Sequence, residues 1–139
     1  MDLINACKLL DLPVANTQTG KITVLENGLN FDLFEVKRVF YLYDIPAGQK
    51  RGAHAHKKTH QLIIAAFGSF KVRLFDGNNE CIVNLNKPFQ GLYIPPLMWA
   101  SQEDFSGGAI CLVCASHEYD ESDYIRNRAE YINFRNQGA

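Results

Sequence analysis

The chain has 139 residues, 47% of them hydrophobic. That length suits one domain over 1–139, with a core burying about two-thirds of the unfolded surface. Fourteen Lys and Arg stand against 15 Asp and Glu, a net charge of -1 with no run of like charge, which argues against nucleic acid or an anionic membrane as partner. Residues 1–7 lack a basic stretch leading into an apolar segment, and no apolar run is long enough to span a membrane, so a soluble, cytoplasmic protein is expected.

In chain order, short apolar or alternating runs broken by turn residues predict strands rather than helices. Residues 22–26 form the first expected strand, followed by an Asn27-Gly28 turn. Residues 36–43, rich in aromatic and branched side chains, form the second. The loop over 44–48 ends it, and a further strand opens at 54–56. Gln61–Phe67 is almost unbroken in its apolar character, which implies burial on both faces. Gly68-Ser69 turns the chain into Phe70–Phe75, and an Asp76-Gly77 turn joins this to Glu80–Leu85 as the strongest hairpin signal in the sequence. Residues 92–94 and 109–116 supply further strands. After His117, Ser122 is the expected cap of a short helix bringing Tyr124, Ile125, Tyr131 and Ile132 onto the body. Cys111 and Cys114 lie three apart in a strand and so diverge. With Cys7 and Cys81 scattered, all four are read as reduced, small apolar residues and not as a zinc site.

His54 and His56 carry the clearest chemistry. Two positions apart in an extended chain, they project to one face. Imidazole titrates nearest to neutrality, so a convergent pair serves either metal ligation or proton transfer. A bare His-x-His is more often structural or metal-binding than catalytic. His60 and His117 read as surface or partly satisfied core residues.

The spacing around the pair resembles the cupin superfamily. Gly48, five residues, His54-Ala55-His56, four residues, Gln61, six residues and Gly68 are similar to its first motif, with Gln61 where an acidic ligand usually stands. The second motif is matched from Gly91 through Pro95 and Trp99 to Ala100, which occupies the place of a ligand histidine. An alkyl stub has no lone pair and a neutral amide is a poor ligand for a transition metal. No metal and no cofactor are therefore expected, and the imidazoles are read as proton-transfer groups. The expected fold is all-β, a cupin jelly-roll barrel with a short C-terminal helix, whose mouth holds a small ligand against the histidine pair.

Four ordered motifs narrow the resemblance: Lys37 to Tyr41, Arg51 to Lys58, Gly91 to Ile94 with Pro96 and Trp99, and Ala115-Ser116 followed by Tyr119 to Arg126. On these the chain resembles the WxcM-like sugar-nucleotide 3,4-ketoisomerases, from about Gly20 onward. The resemblance implies a metal-free, cytoplasmic isomerase acting on dTDP-4-keto-6-deoxyglucose in the routes to 3-amino-3,6-dideoxy sugars of bacterial surface glycans, such as O-antigen and S-layer polysaccharides. His54 would move the proton from C3 to C4 through an enediol, and His56 would serve the hydroxyl protons of O3 and O4. The diphosphate needs cations, for which Arg51, Arg38, Lys71 and Arg73 are candidates. Lys71 and Arg73 share one strand face, so both line the pocket or both face solvent. Gln61 and Tyr93 are expected in the pocket by the cupin resemblance, and Trp99 is read as a cavity wall because the loop before it holds Pro95-Pro96. At three expected substrate positions the chain departs from the pattern: Phe40 where a tyrosine is usual, Ala100 where a basic residue is common, and Thr19 where a bulkier polar side chain often stands. The resemblance also implies a homodimer, one form of which exchanges N-terminal strands. Two other functions remain open. One is a dTDP-sugar 3,5-epimerase, which ordinarily pairs its histidine with an aspartate and a tyrosine in a pattern not evident here; the other is a non-catalytic sugar-nucleotide-binding cupin.

Overall fold

Alternation in the sequence becomes two stacked sheets. The computed structural model describes residues 3–137. Twelve strands follow a short 3-10 turn at Leu3–Ala6: β1 (Lys8–Asp11), β2 (Ala15–Thr17), β3 (Gly20–Ile22), β4 (Arg38–Leu42), β5 (Arg51–His56), β6 (Gln61–Phe67), β7 (Phe70–Phe75), β8 (Glu80–Leu85), β9 (Gln90–Ile94), β10 (Trp99–Glu103), β11 (Ile110–Ala115) and β12 (Tyr124–Ile125). Among the described residues a single α-helix, α1 (Arg128–Asn136), follows β12. The first sheet runs β1-β9-β6-β11-β4 and the second β12-β5-β10-β7-β8, while β2 and β3 pair only with each other. All strand pairs are antiparallel, giving an all-β jelly roll with a short C-terminal helix.

Three layers of apolar contact hold it. The central core joins Ile63, Leu92, Ile94 and Val113 of the first sheet to Phe70, Val72, Leu74 and Leu85 of the second. Each such buried side chain contributes about 1.5–3 kcal/mol. Leu62, Ile64 and Cys114 face the other way and are covered by Phe31, Leu33 and Phe34 of the long β3–β4 connection. This explains the unbroken apolar run of β6, which is buried on both faces over Gln61 to Ala65. The outer face of the second sheet is covered by α1, whose Tyr131 packs with Ala55, Phe75, Trp99 and Ile125. The Tyr131 hydroxyl donates to the Leu97 carbonyl at 2.6 Å, with the Phe75 carbonyl at 3.1 Å also in reach.

The bounds of β6, β7 and β8 agree with the sequence reading. Elsewhere the structure corrects it. The first expected strand, over 22–26, lies two residues earlier as β3. Ser122 does not cap a helix carrying Tyr124 and Ile125. Asp120 caps a 3-10 turn at Glu121–Asp123, and Tyr124 and Ile125 extend the second sheet beside β5. The helix begins only after Asn127, whose side-chain oxygen accepts from the Glu130 N–H. None of the four cysteines forms a disulfide. Cys111 joins the central core and Cys114 the outer cluster, so the two thiols diverge, and burial pushes Cys111 up to about 12. Among the described residues no helix is long and apolar enough to cross a membrane.

Candidate active site

At one end of the sandwich the sheets enclose a cavity of about 270 Å³. Arg38 and Phe40 enter from β4, Arg51 and His54 from β5, Gln61 and Ile63 from β6, Ala100 and Gln102 from β10, and Tyr119, Tyr124 and Arg126 from the segment before α1. Backbone shape makes room for this. Gly52 lies at φ +70°, and a Cβ there would collide with the Gln102 amide. The β5–β10 register shifts between Ala100 and Gln102 beside it. Only glycine adopts such a conformation without penalty.

The two imidazoles meet at right angles, with centroids 4.9 Å apart, but their surroundings differ. His54 lines the cavity and has no hydrogen-bond partner among the described residues. Burial, then the neighbouring His56 and Arg126, push it down to about 3, so near neutral pH it is uncharged. His56 lies behind it, buried, with Nδ1 2.8 Å from Oδ2 of Asp123. A carboxylate only accepts, so Nδ1 carries the hydrogen and Nε2 keeps its lone pair. That Nε2 is buried and has no partner among the described residues. Burial lowers His56 against the opposing pull of Asp123.

Asp123 is itself held firmly. Thr59 Oγ1 donates to Oδ2 at 2.5 Å and the Lys58 N–H to Oδ1 at 2.7 Å. Burial works to raise this carboxyl, yet the bonds from Thr59, His56 and Lys58 together bring it below its ordinary value. Tyr124 completes the group, its ring centroid 4.9 Å from that of His54 and 4.4 Å from that of His56.

At the mouth the charge is positive. The Arg38 guanidinium lies 4.6 Å above the Phe40 ring and donates to the Tyr124 hydroxyl at 3.3 Å. Neither Arg38 nor Arg51 has a carboxylate partner among the described residues. Arg126 does, donating twice to Glu121 at 2.7 and 2.9 Å.

Of the residues singled out from the sequence, the cavity brings together Arg38, Phe40, Arg51, His54, Gln61 and Ala100, with His56 directly behind. The others lie elsewhere, for local reasons. Lys71 pairs with Asp104 at 3.1 Å, and Arg73 with Glu103 at 2.8 Å and with Glu80, on the outer face of the hairpin. They face solvent because Phe70, Val72 and Leu74 take the inner face. The Tyr93 hydroxyl meets His60 Nδ1 at 2.7 Å beside Phe34, outside the first sheet. Trp99 points under α1, 5.5 Å from the Tyr131 ring. Thr19 is exposed at the turn of the β2–β3 hairpin. Sequence reasoning missed Asp123, Thr59 and Tyr124. The only hint was the motif over 119–126, whose individual side chains carried no evident role. Gln61 and Ala100 line the same cavity as His54.

A jelly roll whose cavity is lined by an imidazole, an amide and two guanidinium groups without carboxylate partners among the described residues is a cupin-type fold. The chain belongs to the WxcM-like family, whose model, described as "FdtA: WxcM-like, C-terminal", matches residues 5–136. It is 38% identical over 133 residues to a TDP-4-oxo-6-deoxy-alpha-D-glucose-3,4-oxoisomerase of Aneurinibacillus thermoaerophilus, covering 96% of this chain and 88% of the relative. Its fold is similar to that of a 3,4-ketoisomerase from Helicobacter canadensis, with a TM-score of 0.90, 40% identity, and coverage of 94% of this chain and 97% of the other. It is equally similar to a mutant of the 3,4-ketoisomerase QdtA from Thermoanaerobacterium thermosaccharolyticum in complex with TDP-4-keto-6-deoxyglucose, with a TM-score of 0.90, 39% identity and 94% of each chain covered.

Proposed function

We propose that the protein is a TDP-4-keto-6-deoxyglucose 3,4-ketoisomerase, moving the keto group from C4 to C3 and so preparing the sugar for amination at C3. The relatives support the reaction, and one observation supports the chemistry: His54 is an uncharged imidazole in the cavity wall. In this reading His54 takes the C3 proton, the C3–H electron pair forms the C3=C4 bond of an enediol, and the same proton returns at C4. His56, its tautomer fixed by Asp123 and packed directly behind His54, is the group assigned to the hydroxyl protons of O3 and O4. The hydrogen moves as a proton, so carbon is rearranged with no external oxidant. Arg38 and Arg51 are the cations for the diphosphate.

A second reading has an observation of its own. The His56–Asp123 pair with Tyr124 against it supplies the aspartate and tyrosine partners that a 3,5-epimerase uses. Proton NMR of TDP-4-keto-6-deoxyglucose with the enzyme in deuterated buffer separates the possibilities. The ketoisomerase gives 3-keto product, an epimerase puts deuterium at C3 and C5 without moving the keto group, and a binding protein changes nothing. We also infer a cytoplasmic homodimer. Support comes from the thiols, none of them in a disulfide, and from the β2–β3 hairpin, whose strands pair only with each other and whose Ile22 is 59% exposed. Light scattering on the purified chain tests this, a monomeric mass ruling it out.

A further inference from the structure

We infer that Tyr124 is a catalytic residue: its phenolic O–H donates to the substrate oxygen that gains negative charge when the C3 proton leaves. The inference rests on the ketoisomerase reading and on hydrogen-bond accounting around the cavity. Two phenols line it. The Tyr119 hydroxyl is committed, donating to Glu121 Oε1 at 2.6 Å. Tyr124 is different, because its recorded partner is Arg38 Nη1 at 3.3 Å, and a guanidinium has donors but no acceptor. The Tyr124 oxygen must therefore accept from Arg38, which leaves its own hydrogen free to point elsewhere.

Position does the rest. The ring is wedged against both imidazoles, 4.9 Å from His54 and 4.4 Å from His56 between centroids, and the Arg126 guanidinium lies 4.2 Å above it. Its backbone pairs with β5 opposite His56, so strand register holds the phenol beside the imidazoles. Phe40, on the cavity wall under Arg38, offers a ring without a hydroxyl. A phenol donor in this site thus comes from β12 and not from β4. The electrons balance simply. His54 takes the C3 proton, the C3–H pair becomes the C3=C4 bond, and the carbonyl pair moves onto O4, where Tyr124 donates its hydrogen bond. The O3 proton passes to O4, the His54 proton returns at C4, O3 becomes the carbonyl oxygen, and Tyr124 ends with its own proton. A preorganised donor aimed at developing charge lowers the barrier without tightening ground-state binding.

Tyr124→Phe keeps the ring and its packing and removes only the hydroxyl. The expected result is a fall in kcat of about 10²-fold with KM and TDP affinity within about threefold. Conversion of substrate deuterated at C3 should slow in parallel, because the donor acts on the proton-abstraction step. A kcat within twofold of wild type overturns the inference, and so does a loss confined to KM. The wild-type enzyme is the internal control. If it yields no 3-keto product, the reaction assignment fails, whereas a working wild type with an equally active Tyr124→Phe removes only Tyr124.

Discussion

Strands β5 and β7 flank the same neighbour, β10, and each presents two polar side chains at i and i+2: His54 with His56, and Lys71 with Arg73. Period-two alternation treats the two pairs alike, yet one pair serves the cavity and the other meets solvent. The difference is register. Ala100 of β10 stands opposite both His54 and Leu74, and residues directly opposite share a face. Leu74 is 1% exposed in the central core, so His54 faces inward too. Arg73 stands opposite Ser101, one position along, and must face out. Chemistry follows from the face a side chain takes, and alternation alone does not say which face is inner.

Removing the proposed base should cut most deeply. His54→Asn keeps the size and polarity of the position and deletes the proton acceptor, so 3-keto formation should fall at least about 10³-fold. TDP affinity, measured calorimetrically, should stay within about tenfold, because the cations of the mouth are untouched. A variant that keeps a tenth of wild-type turnover would remove His54 from the mechanism. The substitution also has a pH signature. The unfolded chain binds a proton at this histidine as pH drops below 6.5, while the folded state does not until about 3. Across that window the unfolded state holds more protons, so wild-type stability falls with falling pH. His54→Asn should flatten that part of the melting-temperature profile, and an identical slope would mean the imidazole is solvated and ordinary.

Asp123→Asn should come next. The carboxylate accepts from His56, Thr59 and the Lys58 backbone. An amide in its place loses the charge and turns one acceptor into a donor. The His56 tautomer is no longer fixed, and kcat should fall about 10²-fold with little change in KM. Thr59→Val, which removes a single bond to the same carboxylate, should cost less. Equal losses from the two variants would point to collapse of the loop and not to tautomer control.

Much of this was legible in the chain and some was not, for reasons that particular residues make plain. β6, β7 and β8 announce themselves because each has a buried face and bounding turn residues. β10 stays hidden because Ser101 and Gln102 are polar yet buried, 8% and 6% exposed, so its alternation cannot be seen in hydropathy. β12 is two residues long and exists only through pairing with β5. In the site, Arg51 and His54 are near neighbours on one strand, and local spacing finds them. Asp123 lies 67 positions from His56, and no periodicity links the two. Trp99 and Ala100 show the limit from the other side, since adjacent residues on one strand go to opposite faces, the indole under α1 and the methyl into the core.

The gentlest test compares the basic groups of the two strands. Arg51 lines the cavity with no carboxylate partner among the described residues, so Arg51→Ala should weaken TDP binding by about tenfold, the equivalent of one hydrogen bond to a charged group. The loss should shrink as salt is raised, because the mouth is open to solvent and screening is effective there. Arg73 already satisfies Glu103 and Glu80 on the outer face, and Lys71 is held by Asp104. Arg73→Ala and Lys71→Ala should therefore leave TDP affinity and turnover within about twofold, exposed ion pairs being weak contributors. A tenfold loss of affinity in either would show that the diphosphate reaches across the hairpin's outer face, and the inward-outward distinction drawn from register would no longer separate binding from non-binding cations.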